Sequence, residues 1–129
     1  MEEALIAILL ADDDLAALVG SKIHWLRRPQ KQALPSVTLQ TIGGPRTNHT
    51  EGADSIVGYR VQVDCWASTF AGAKACARAV EAAVSGKRFP AQATNIHGVF
   101  VLDANDSFEG EEPEAIHRSR LDLRVWHRT

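Results

Sequence analysis

Cysteine is scarce in this chain: its 129 residues include only Cys65 and Cys76. They make neither a CxxC pair nor a metal-finger spacing, so free thiols in a reducing compartment are expected. Aromatic residues are few, at 6%, with one tyrosine, and methionine occurs once. Long apolar runs are absent. Residues 4–11 fall well short of the roughly 20 residues that span a bilayer. Met1-Glu2-Glu3 is acidic where a secretory leader carries positive charge. Export and membrane insertion are therefore not expected, and the sequons at Asn48 and Asn105 read as chance matches. A dominant charge is missing too. Lys and Arg total 14 against 16 Asp and Glu, for a net charge of -2, which argues against wholesale attraction to nucleic acid or anionic lipid.

Catalytic signatures are equally thin. Gly43-Gly44-Pro45 and Gly52 fit neither GxGxxG nor GxxxxGK[ST], and Gly86-Lys87 lacks the residues that complete a phosphate loop. Among His24, His49, His97, His117 and His127 no HExxH pair exists. Asp12-Asp13-Asp14 suits a helix start better than a cation site. Asp103, Asn105 and Asp106 come nearer a calcium loop, but the glycine arrives only at Gly110. No serine sits in a G-x-S-x-G elbow. The sequence predicts a non-enzyme with no cofactor and no metal.

What is present suits one domain over residues 1–129, with 45% hydrophobic and 23% charged residues. Residues 3–10 read as a helix with Leu5, Ile6, Leu9 and Leu10 on its apolar side. Asp12 is placed to cap a second helix carrying Leu15, Leu18 and Val19, closed by Gly20. Short strands are expected at 23–26 and 36–42, with a polar connection at 27–32 and a loop at 46–55. Residues 56–66 alternate most clearly: Tyr59, Val61, Val63 and Cys65 on one side, Arg60, Gln62, Asp64 and Trp66 on the other. Ser68 or Thr69 can cap a helix reaching about residue 84, with Ala73, Cys76, Ala77, Val80 and Val84 inward. After a connection at 85–95 come a strand at 96–102, an acidic loop at 103–114 and a last strand at 116–127. The order α-α-β-β-β-α-β-β predicts a mixed α/β domain of the α+β type. It is a mostly antiparallel sheet with helices packed on one face.

The last strand repeats the layout of the third. Leu121, Leu123 and Val125 form a core side, and Arg120, Asp122, Arg124 and Trp126 form the other. If the two are neighbours, Arg60 can pair with Asp122, and Asp64 with Arg120 or Arg124. Tryptophan with arginine is a composition typical of binding hot spots. Arg60, Asp64, Trp66, Arg120, Asp122, Arg124 and Trp126 are therefore the candidate protein-contact residues. A bland alternative is that either tryptophan packs under a loop or caps the sheet edge. Arg27, Arg28 and Lys31 beside Trp25 form a small basic group that suits a solvated turn or a nucleic-acid backbone.

The segment Tyr59-Arg60-Val61-Gln62-Val63-Asp64-Cys65-Trp66-Ala67-Ser68-Thr69-Phe70-Ala71-Gly72-Ala73 resembles the small tail completion proteins of bacteriophages. So do Leu15-Ala16-Ala17-Leu18-Val19-Gly20, Leu34-Pro35-Ser36-Val37-Thr38-Leu39-Gln40 and the ending from His117 to Trp126. The likeness runs through nearly the whole chain, carried by the order and spacing of these pieces. It implies a structural protein of a phage or gene transfer particle, at the head–tail junction. There a ring, commonly hexameric, of copies of the chain caps the tail tube and ends its growth. Implied partners are other copies, the major tail tube protein and a head–tail connector or adaptor protein. No membrane is implied, and nucleic acid only passes through the ring lumen. A connector or adaptor layer is the alternative role; a small enzyme or nucleic-acid module fits less well.

Overall fold

Asp12 shows how directly local chemistry sets the chain's course. Its carboxylate accepts the Leu15 backbone N–H at 2.9 Å, satisfying a donor at the start of the second helix. The computed structural model describes residues 2–26, 34–43, 56–84, 96–111 and 115–128. Helix α1 spans Glu2–Leu10 and α2 spans Asp13–Val19, closed by Gly20 at φ 61°. Strands β1 (Ile23–Trp25), β2 (Ser36–Gly43) and β3 (Ile56–Ala67) follow, then α3 (Phe70–Val84), β4 (Ile96–Glu109) and β5 (Ile116–Arg128). The Thr69 hydroxyl accepts the Gly72 N–H at 3.0 Å, so Thr69 is the residue that caps α3. The expected connections at 27–32, 46–55 and 85–95, with Arg27, Arg28, Lys31, Gly44, Pro45, Gly52, Gly86 and Lys87, lie outside the described residues.

The element order matches the expectation, and the five strands make one sheet in the order β1-β2-β3-β5-β4. Only β1 and β2 run parallel; the other neighbours are antiparallel. The helices cover one face. Val37 and Leu39 of β2, Val61, Val63 and Cys65 of β3, and Leu123 and Val125 of β5 are fully buried there. Above them lie Leu5 and Leu9 of α1, Leu15 and Val19 of α2, and Cys76, Val80 and Val84 of α3. Ala73, Ala77 and Ala83 add little bulk to the inner side of α3, which lets it sit close to the sheet. Hydrogen bonding to Cys76 and burial push the Cys65 thiol up, well above its ordinary pKa, so Cys65 does not favour a thiolate.

Three expectations need correction. Leu10 and Leu18 are 45% and 38% exposed, because α1 buries Ile8 in the stripe with Leu5 and Leu9, and α2 docks through Leu15 and Val19 alone. The acidic segment 103–114 is not a loop throughout: β4 continues to Glu109, pairing with β5 down to Ile116. Its polar residues find partners there. Asp106 accepts the Ser119 hydroxyl and meets Lys74 of α3 at 3.1 Å, and Ser107 accepts Arg118 Nε–H at 3.2 Å. A shift of register between Val101 and Asp103 lets Val101 and Asp103 face opposite sides of the sheet.

Candidate protein-contact surface

The helix-free face of the sheet carries all seven candidate residues, and register decides how they group. Because β3 and β5 are antiparallel, Arg118 stands opposite Trp66 and Gly58 opposite Trp126. The two tryptophans, which end their strands in sequence, therefore sit at opposite ends of the sheet. Each lies beneath an arginine of β5. The Arg118 guanidinium is 5.3 Å from the Trp66 ring centre, and that of Arg124 is 5.9 Å from the Trp126 ring centre. One cluster on paper is two in space.

The first cluster centres on Asp64, which is only 7% exposed although no helix covers it. Its Oδ2 accepts the Gln62 amide at 2.8 Å. Its Oδ1 faces Arg120 Nε at 3.6 Å and Arg118 Nε at 4.0 Å. These are ion contacts longer than hydrogen bonds, and Oδ1 and Arg120 Nε have no hydrogen bond of their own. The expected Asp64–Arg120 pair exists; the Asp64–Arg124 alternative does not, since Arg124 lies opposite Arg60. Trp66 Nε1–H donates to the Thr38 hydroxyl at 2.9 Å, spanning from β3 to β2. The first cluster thus spends most of its polar capacity within the chain.

The second cluster faces outward. Arg60 approaches Asp122 at 3.6 Å, as expected, with the Arg60 side chain 47% exposed. Arg124 and Trp126 lie across Gly58. A Cβ at that position would come within 3.1 Å of Arg124 Cδ and of a Trp126 ring carbon. Here glycine serves close approach, with an ordinary backbone conformation. Phe100 of β4 stands opposite Arg124 and is 57% exposed. Sequence reasoning missed Phe100 and Gly58. The exposed aromatic inside an otherwise apolar strand was the available signal, but only register brings it to Arg124 and Trp126.

A third aromatic group lies on the helix side at the other end of the sheet. Phe70 and Phe108 flank His117, with ring centres 6.5 and 5.9 Å away. Both phenylalanines are more than half exposed. Among the described residues, no group of three or more His, Cys, Asp or Glu side chains is placed to hold a metal ion. Among them, too, no helix is long and apolar enough to cross a membrane. The arrangement of charged, hydrogen-bonding and aromatic groups on a face that none of the described helices covers suits recognition of another macromolecular surface.

No curated protein matches the sequence. Among solved structures, a chain from one described as "Virion of native gene transfer agent (GTA) particle" is similar. The TM-score is 0.73 and the identity 23%, over 100% of this chain and 95% of that one. This likeness concerns the fold alone. The sequence itself matches the family described as "Tail completion protein gp17" across residues 3–128, so the chain belongs to that tail completion family.

Proposed function

We propose that this chain forms a ring on the head-proximal end of a phage or phage-like tail tube, where it ends tube growth and receives the head. Family membership assigns it to tail completion and head–tail joining. The observation that carries the finer reading is the sheet face that the described helices leave open, whose outward cluster exposes Arg60, Phe100 and Trp126 beside Arg124. A tube-capping subunit must touch like copies sideways, the tube below and the head above. A sheet covered by helices on one side only leaves a face and two edges for those contacts. Repetition around a closed ring protects such edges from open-ended pairing. Among the seven candidate contact residues, Arg60, Arg124 and Trp126 touch partner proteins. Asp64, Trp66, Arg120 and Asp122 mainly hold the face in shape. The partners are other copies, probed most simply as a hexamer, together with the major tail tube protein and a connector or adaptor protein.

The test is to polymerise the cognate tube protein with and without the purified chain and to image both by negative stain. With the chain present, tubes stop at one end and longer incubation adds no length. Tubes that lengthen equally in both samples contradict the capping role.

A further inference from the structure

The two lateral edges of the sheet differ in chemistry. At the β1 edge, a cavity of about 490 Å³ opens between α1 and β1, lined by Glu2, Glu3, Ile6 and Trp25. That volume lies within the range of roughly 300–1,000 Å³ that admits a small organic group. Its floor is apolar and its described charged residues are both acidic. Leu26, next along the chain, is 65% exposed. At the opposite edge, β4 presents Phe100, 57% exposed, beside Arg124 and Trp126. Arg60 stands across from Arg124 on β3. This corner joins aromatic rings to two cations, and among the described residues Arg60 has a carboxylate in contact, Asp122 at 3.6 Å, while Arg124 has none. In their described residues, an acidic apolar groove on one edge and a basic aromatic corner on the other are complementary, and one chain cannot join them to each other.

We propose that the Phe100–Arg124–Trp126 corner of one copy docks in the Glu2–Glu3–Ile6–Trp25 groove of the next. The contact rests on the ring reading above and names its lateral surface. Phe100 enters between Ile6 and Trp25, removing exposed aromatic area from water. Arg124 reaches the carboxylates of Glu2 and Glu3, which fixes the direction of docking more than it adds affinity. The two surfaces are different patches on the same subunit, so the contact is head-to-tail. Such contacts repeat until rotation closes them into a ring.

Two substitutions in the same full-length chain, Ile6→Cys and Phe100→Cys, test this directly. Ile6 of α1 lines the groove at the β1 edge on the helix side of the sheet, whereas Phe100 lies on β4 at the far edge and shares the helix-free side with Arg124. Those edges are four strand spacings apart, about 19 Å, well beyond the Cα separation of about 7 Å that a disulfide tolerates. Any bond between the new thiols therefore joins two copies. Oxidation with copper phenanthroline, on the chain alone and on chain-capped tubes, is read on a non-reducing gel. The docking predicts a ladder of covalent multimers, absent from the wild-type chain and from either single variant. Capped tubes whose double-cysteine subunits stay monomeric on the gel overturn this contact and leave the capping role standing. A ladder without capping activity does the reverse.

Charge exchange adds a second readout that does not rely on cysteine. Glu3→Lys and Arg124→Glu each weaken self-association about tenfold by sedimentation, and together restore it to within about threefold. Two independent losses without restoration overturn the pairing, provided thermal unfolding shows each variant folded.

Discussion

Asp64→Ala is the most informative single change for the helix-free face. Asp64 is 7% exposed and accepts one hydrogen bond from Gln62 at 2.8 Å. A hydrogen bond to a charged acceptor is worth about 1.5–3 kcal/mol. The ion contacts to Arg120 and Arg118, at 3.6 and 4.0 Å, involve arginine side chains 34% and 25% exposed. Solvent screening leaves each with no more than about 0.2–1 kcal/mol. The substitution should therefore destabilise by about 2–5 kcal/mol. With a urea slope of about 2 kcal/mol per molar, the unfolding midpoint falls by about 1–2.5 M. Arg60→Ala provides the contrast. Its one ion pair, with Asp122 at 3.6 Å, leaves the Arg60 side chain 47% exposed, so the loss stays below about 1 kcal/mol. Urea unfolding of wild type and both variants, followed by far-UV circular dichroism, gives the comparison. Equal midpoint shifts for the two variants would show that Asp64 does not organise this face.

Gly58→Val places side-chain atoms where Arg124 and Trp126 now lie, so the Trp126 indole N–H resonance should move while the fold is kept; an unchanged resonance contradicts the packing across Gly58. Leu123→Ala empties a fully buried position on β5 and should cost about 2–5 kcal/mol in urea unfolding; a loss below about 1 kcal/mol contradicts a tightly packed core there. The Ser119 hydroxyl, then Lys74, holds the Asp106 carboxyl below its ordinary pKa. Its charged form therefore favours the folded chain: this contribution is complete above the usual carboxylate range near pH ~4 and fades as pH falls through the lower folded value. Asp106→Asn should accordingly flatten stability against pH in that acid window and nowhere above it. An unaltered acid profile rejects the assignment.

Much of the architecture was legible because two strands state their faces plainly. In residues 59–65 and 120–125, apolar and polar residues alternate strictly, and the buried sets Val61, Val63, Cys65 and Leu121, Leu123, Val125 are among those the alternation selects. The helix stripe of α3 was equally clear. The antiparallel character of the sheet was also expected, but strand order and register were not legible, since they arise from tertiary packing rather than from any local pattern. That is why the tryptophans, alike in sequence, separate to opposite ends of the sheet, and why Arg124 meets Arg60 rather than Asp64. The strand character of residues 103–109 was hidden for another reason. Their acidic and small polar side chains are poor strand formers by composition, yet polar residues are well tolerated on an edge strand and here meet Lys74, Arg118 and Ser119. Phe100 escaped notice because its importance comes only from its neighbours on β5.

Position on the tube tests the central claim most directly. Gold-labelled chain is added to preformed tubes and located by electron microscopy. Capping predicts gold at one tube terminus only, saturating at a fixed number of copies per tube. Gold scattered along the tube wall, or at both ends alike, would contradict it.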